Sequence, residues 1–360
     1  MTQEKLQSVS QKVVILGTGG TIAGLSLVPG AGGAYRAAQV GVDALLEQAA
    51  RSDHAGLSTG QPSDVSPVLI TEQVAQVDSK DMTEALWQRL LARLHALQQD
   101  PSVQGIVVTH GTDTLEETGF LLQACWPQGK PVVLTCAMRA SDAPDADGPA
   151  NLREAIALAR TPGLRGVMMV CDGQVFEGHV FQKLRTQGVQ PFEAEPMGAL
   201  GTCREGLFQP LRPVDTEHAY PCLDANERTL LLSTPAWPRV EIVMNHAGAD
   251  GRIVQALLMQ SAGMDNQTRL RGIVLSGTGQ GTCSERLAEA LQQAQSQDVV
   301  VWRTSRATWG VVQSNPGESF RGVSWSPVKA RVALMLNLLT GRGWTTSPDV
   351  KKAFNGRPLG

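Results

Sequence analysis

Two loops that carry threonine raise the question of chemistry first. In "KVVILGTGGTIAG" (residues 12–24) an apolar run meets a Gly19-Gly20 turn, leaving Thr21 where a strand would end. In "GIVVTHGTDTLEETGFLL" (105–122) Thr112 and Asp113 occupy the same kind of place, just ahead of a helical segment. A third loop, "QVDSKDMTEALW" (76–87), sets Ser79 and Lys80 before another helix. Ligands of open α/β sheets gather at strand carboxyl ends, and a helix N-terminus favours an anion by ~0.3–1 kcal/mol. Ser79 and the neighbouring amides could hold a carboxylate and Asp113 an ammonium, which together describe an amino-acid pocket. A threonine hydroxyl is by itself a weak nucleophile that needs a base or a hydrogen-bond relay to react.

Other readings compete at each loop. A dinucleotide fingerprint starting at Gly17 finds Gly19 but then Ile22, whose branched side chain cannot replace the glycine that lets helix and strand approach closely. No Gly-Lys-Ser/Thr follows, so a Walker-type phosphate loop fails too. Thr21 as a simple helix cap stays open. So does Asp113 as an N-cap, because Asp113 and Glu116 have capping-box spacing; Thr114 and Glu117 share that spacing and are expected to start the helix. Asp81 and Glu84 are expected to cap the helix after Ser79.

The elements that must position these loops read as an α/β fold. Apolar runs at 12–17, 105–110, 131–138 and 166–172 alternate with helical segments such as 83–98, where Leu86, Leu90, Leu94 and Leu97 share a face. This is the pattern of a larger N-terminal, mainly parallel sheet domain with flanking helices, assigned to residues 1–215. The proline-bearing stretch 206–238 has little helical period and reads as a linker, placed at 216–238. Strand-like runs at 240–246, 272–277 and 299–305 and a helix over 326–341, stopped by Gly341, give a smaller C-terminal α/β domain over 239–360.

Composition narrows the partners. The 360 residues are 42% hydrophobic and 18% charged with a net charge of −3, which gives no general attraction to nucleic acid or anionic membrane. The first twelve residues lack an apolar core, and no run nears the ~18 apolar residues of a membrane span, so a cytoplasmic location is expected. Six cysteines without a C-x-x-C pair read as reduced and mostly buried thiols, and the six histidines show no metal-ligand spacing. Small molecules or further copies of the chain are the expected partners.

The residues also carry a resemblance. "TGGTIAG" (18–24) and "THGTDTLEET" (109–118), with "DSKDM" (78–82) between them, resemble the signature motifs of the bacterial-type L-asparaginase family. Further similarity runs through 131–155, "EGHVFQK" (177–183), "GIVLSGTGQG" (272–281) and "VVWRTSR" (300–306). The resemblance implies hydrolysis of L-asparagine to L-aspartate and ammonia without a cofactor, by an acyl-threonine on Thr21. It implies that Tyr35 is the lid tyrosine bonded to that threonine and that Thr112, Asp113 and Lys183 form the activating trio. Ser79 and Asp113 would grip the substrate's carboxylate and ammonium, and the loop from Leu25 to Tyr35 would close as a lid. A homodimer or homotetramer with sites near subunit interfaces is implied as well. Lys80 departs from the family pattern, since a cation there would repel the substrate ammonium unless it turns away. Gln280 matches a position that is often asparagine, and Glu318 is the candidate for a carboxylate contributed by a neighbouring subunit.

Overall fold

The computed structural model describes residues 11–28, 34–51, 67–194, 197–213, 222–265, 268–314 and 317–342. The N-terminal stretch 1–10, the middle of the expected lid (29–33) and the first linker residues (216–221) lie outside the described residues. The chain divides into two compact units, residues 1–216 and 217–360.

The first unit holds β1 (Lys12–Gly19), β2 (Leu25–Ser26), β3 (Tyr35–Arg36), α1 (Val42–Arg51), β4 (Val68–Val77), α2 (Glu84–Gln99), β5 (Val103–Thr109), α3 (Leu115–Cys125), β6 (Val132–Thr135), α4 (Gly148–Ala159) and β7 (Val167–Cys171). The short strands β8 (Gln174–Glu177), β9 (Gln182–Lys183), β10 (Phe192–Glu193), β11 (Gly201–Arg204) and β12 (Leu207–Pro210) complete it. Its main sheet runs β12-β11-β8-β7-β6-β5-β1-β4. The five strands from β7 to β4 are parallel and β8, β11 and β12 extend the sheet antiparallel.

Helices cover both faces, which is why the central strands read as unbroken apolar runs. Val13, Ile15, Val107, Val133, Met168 and Val170 form one buried face with Val42, Leu45 and Ala49 of α1 and Leu152, Ala155, Ile156 and Ala159 of α4. The alternate residues Val14, Leu16, Ile106 and Val108 are buried as well, with α2 packed on β4 and β5 and α3 on β7. In α2 it is Trp87, Leu90, Leu91, Leu94 and Leu97 that are buried. Its cap is Thr83, which accepts from Leu86 N at 3.3 Å, in place of the expected Asp81.

The second unit is a parallel four-stranded sheet, β13 (Arg239–Met244), β14 (Leu270–Gly277), β15 (Val300–Ser305) and β16 (Arg321–Gly322), in that order. Val254 and Leu258 of α6 (Arg252–Ser261) and Leu287, Ala290, Leu291 and Ala294 of α7 (Glu285–Gln295) pack on Val243, Ile273, Leu275 and Val301. The helix α8 (Pro327–Thr340) lies against β13, β14 and β15 and ends at Gly341 in the left-handed conformation. The stretch read as a linker contains β12 and a helix, α5 (Ala225–Ser233), closed by an Asp224–Glu227 capping box. Only Leu231 of α5 is buried, so its sequence carries no apolar stripe to betray it. Among the described residues no helix is long and apolar enough to cross a membrane.

Gly105 shows how tightly α4 sits on the sheet, since a Cβ there would lie inside contact distance of the Ala159 carbonyl. A Gly105→Ala substitution is expected to force that helix away and to cost about 1–3 kcal/mol. Urea unfolding of the variant beside wild type measures this, and an unchanged midpoint would contradict it.

Candidate active site

Three adjacent parallel strands, β4, β1 and β5, end side by side, and each hands its chain to a polar loop. Gly19 and Gly20, with φ of 104° and 80°, turn the chain after β1 and start the short 3-10 turn Thr21–Ala23. No L-residue adopts these angles cheaply. Gly20 N donates to Val77 O, at the end of β4, at 2.8 Å. On its other side a Cβ at Gly20 would collide with the Gly111 backbone, and one at Gly111 would lie 2.5 Å from Ser79 Oγ. The first loop therefore meets the end of β4 and the second loop backbone to backbone, and the second loop meets the third through Gly111 against the Ser79 side chain. Ile22, the residue that excluded a dinucleotide loop, is buried, and a Cβ at Gly148, the start of α4, would lie 3.0 Å from it.

The side chains converge as the loops do. Thr21 is buried, and its hydroxyl lies 2.9 Å from Tyr35 Oη on β3. Ser79, in a 3-10 turn capped by Asp78, is 3% exposed. Its Oγ accepts from Asp113 N at 3.1 Å, so its own proton stays available to an incoming acceptor. Lys183 Nζ donates to Thr112 Oγ1 at 2.7 Å and to Asp113 Oδ1 at 2.6 Å. The Thr112 hydroxyl, accepting from Lys183, directs its proton elsewhere. Thr21 with Tyr35 and Thr112 with Asp113 and Lys183 thus form two bonded sets on loops in direct backbone contact.

Lys183 reaches Thr112 and Asp113 because the segment carrying it is pressed onto α3. A Cβ at Gly119 of α3 would lie 2.7 Å from Gly178 O and 2.8 Å from the Phe181 ring. Phe181 is fully buried, meets Phe192 edge-on at 5.5 Å, and precedes the β9–β10 pair in which Lys183 lies opposite Phe192.

One expectation changes, and Lys80, Glu318 and Gln280 find partners near them. Thr114 is the N-cap of α3 but makes no side-chain cap bond; its hydroxyl donates to Ser79 O at 2.8 Å and ties the second loop to the third. Lys80 turns to its own loop, with Nζ on Asp78 and 3.7 Å from Asp81. Its charge is thereby answered locally, and the Asp78 bond raises its pKa. In the second unit, taken by itself, Glu318 pairs with the buried Arg303, which also donates to the Gln280, Gln313 and Phe320 carbonyls. Gln280 Oε1 accepts from Gln313 N at 3.2 Å.

Sequence reasoning passed over His110, which is fully buried beneath the second loop. Its Nδ1 is 2.7 Å from Gly111 O and so carries the proton, which leaves Nε2 to accept from Thr118 Oγ1 at 3.0 Å; Thr118 in turn accepts from Trp87 Nε1 at 2.9 Å. Since the C=O and N–H of a trans peptide point in opposite directions, a Gly111 carbonyl held by His110 turns Thr112 N–H away from the imidazole. Burial pushes the pKa of His110 down to about 4, so the ring is neutral.

Comparison with known proteins follows the same division of the chain. Residues 12–213 match the model of the asparaginase N-terminal domain, and 239–354 that of the glutaminase/asparaginase C-terminal domain. L-asparaginase 2 of Bacillus subtilis is 30% identical over 90% of this chain and 81% of its own length. The glutaminase-asparaginase of Acinetobacter glutaminasificans is 32% identical over 95% and 98%. The crystal structure of a probable cytoplasmic L-asparaginase from Campylobacter jejuni matches with a TM-score of 0.76 at 28% identity, covering 96% of this chain and all of that one.

The His110 geometry sets a pH dependence. Folded His110 titrates at about 4 and unfolded histidine near 6.5, so between these values only the unfolded chain takes up the proton. The contribution is fully present above pH ~6.5 and is lost as pH falls toward 4, on the order of 3 kcal/mol in all. Urea midpoints from pH 7 to 4 should show this slope in wild type and a shallower one in His110→Asn; parallel slopes would refute it.

Proposed function

The chain belongs to the asparaginase family, and from that premise we propose that it hydrolyses L-asparagine to L-aspartate and ammonia with Thr21 as the nucleophile. The enzyme is an amidohydrolase of the L-asparaginase kind. The observation that carries the assignment of residues is the meeting, at the ends of β4, β1 and β5, of the Thr21–Tyr35 pair with the Thr112–Lys183–Asp113 set.

Each group has a task that its geometry suits. Ser79 Oγ–H and the amides at the start of α3 receive the substrate's α-carboxylate, and Asp113 Oδ2, the oxygen not engaged by Lys183, receives the α-ammonium. The side-chain amide then lies over Thr21. As Thr21 Oγ1 adds to the amide carbon, its proton leaves toward Tyr35 Oη and a C–O bond forms. The oxyanion falls to backbone N–H donors, Thr112 N–H among them, each worth about 3–4 kcal/mol in such a role. Tyr35, taking up the Thr21 proton, passes its own hydroxyl proton to the nitrogen, and the C–N bond breaks as the oxyanion collapses and ammonia departs. Water, polarised by Thr112 and Lys183, adds to the acyl ester, and its cleavage frees aspartate and restores the Thr21 hydroxyl. No step calls on a cofactor.

We extend the reading to a homodimer or homotetramer, which sedimentation equilibrium tests, and to a cytoplasmic location, which the free thiols of all six cysteines favour. A second substrate stays in view because relatives such as the Acinetobacter protein are named glutaminase-asparaginase.

Thr21→Ala is expected to lower turnover by at least about 10⁴-fold while aspartate binding stays measurable by calorimetry. Substantial residual ammonia release from that variant would sink the mechanism. Asparagine should exceed glutamine in kcat/KM by roughly 10–200-fold, the discrimination available from one methylene. Equal values in steady-state assays would assign the broader activity.

A further inference from the structure

The loop after β6 (138–147) grips the base of the β2–β3 hairpin, and none of the roles above uses that contact. Ser26 N and Ser26 Oγ both donate to Asp142 Oδ1 at 2.8 Å. Next to it, Ser141 N and Oγ donate to Gly24 O at 2.9 and 2.8 Å. The two residues held are those that decide where Tyr35 sits. Ser26 is the strand partner of Tyr35 in the hairpin, and a Cβ on Gly24 would lie 3.1 Å from Tyr35 Cδ2. Gly24 N in turn donates to Thr21 O at 2.8 Å. The gripping loop is itself closed by Asp147, whose carboxylate accepts from Met138 N and Arg139 N at 3.0 Å each where α4 begins. A rigid support therefore runs from α4 through Asp142 and Ser26 to the phenol bonded to Thr21. The Ser26 donors also hold the Asp142 carboxyl below its ordinary range, so the grip is made by the charged form.

We propose that Asp142 is a positioning residue for the reaction: through Ser26 it fixes the hairpin strand opposite Tyr35 and so holds the phenol on the Thr21 hydroxyl. Two bonds from one carboxylate oxygen, a main-chain N–H and a hydroxyl on the same residue, restrain Ser26 in both place and rotation. A short two-residue pair such as β2–β3 cannot supply that restraint alone. Among the described residues Asp142 makes no hydrogen bond to Thr21, Ser79, Thr112, Asp113 or Lys183, so its influence passes through Ser26 and Tyr35. The proposal rests on the reading of Thr21 as nucleophile and Tyr35 as its partner.

A double-mutant cycle on the full-length enzyme tests it, with Asp142→Ala, Asp142→Asn, Tyr35→Phe and the Asp142→Ala/Tyr35→Phe pair assayed for asparagine hydrolysis. Asp142→Ala should lower kcat roughly tenfold, as misplacement of a reacting group does, with a smaller change in KM. Asp142→Asn, which keeps an oxygen able to accept both bonds, should recover most of the loss. In the Tyr35→Phe background, Asp142→Ala should change kcat less than about twofold, because the phenol it positions is gone. Losses that multiply across the pair, or an Asp142→Asn enzyme as impaired as Asp142→Ala, would overturn the positioning role while leaving Thr21 and Tyr35 in theirs. A Tyr35→Phe enzyme with wild-type kcat would instead strike the underlying mechanism. If Asp142→Ala fails to fold, Ser26→Ala, which removes one of the two donors, takes its place in the cycle, and the same multiplicative outcome refutes the proposal.

Discussion

The site depends on backbone approaching backbone where β4, β1 and β5 end. Gly20 lies between Val77 and Gly111 with no side chain to separate them, and Gly111 in turn abuts Ser79. A Cβ on Gly20 or Gly111 would push one loop away from the next. The left-handed φ at Gly19 and Gly20 is the second half of the constraint, because it turns the chain sharply enough for Thr21 to stand at the strand end without running past it. Side-chain chemistry follows from this contact. Thr21, Ser79 and Thr112 are all short residues, and they can serve one small ligand only because the loops that carry them touch.

Charge in the site is placed with the same economy. The Lys183 cation is shared between a hydroxyl and a carboxylate, with its side chain 19% exposed, while Asp113 keeps a more open aspect. Lys80, by contrast, is spent on its neighbours Asp78 and Asp81 and faces solvent. The two lysines near the pocket thus differ in what they are bonded to, and only Lys183 joins the threonine loops. His110 supplies order without charge: fully buried and neutral, it holds Gly111 O from below and leaves the electrostatics of the cleft to Lys183, Asp113 and the helix N-terminus.

The legible part of this arrangement is the part that strand and helix periods announce. The buried runs at 12–17 and 105–110 lead directly into Thr21, Thr112 and Asp113, so their place at strand ends could be read from alternation alone. Lys183 and Tyr35 stand on two-residue strands, too short for any period, and only the family resemblance pointed to them. Thr114 was misread because the S/T-x-x-E spacing describes a local bond, whereas its hydroxyl serves a loop 35 residues away. The α5 helix escaped notice for lack of a buried stripe, and His110 because an isolated histidine after an apolar strand has no spacing signal at all.

Lys183 shows how a residue beyond the reach of periodicity is still fixed by the sequence. The α3 helix begins directly behind Thr112 and Asp113, so whatever is rigid with respect to α3 is rigid with respect to that loop. Gly119 opens a place on this helix where the Gly178 carbonyl and the Phe181 ring can come close, and a larger residue would lift both. Phe181 is buried completely and wedged edge-on against Phe192, and the strand pairing carries this register two residues further to Lys183. A glycine in a helix interior costs about 1 kcal/mol relative to alanine. Here that cost is offset by a packing contact that delivers the ammonium to Thr112 and Asp113, so the helix that presents the loop also sets the position of its cation.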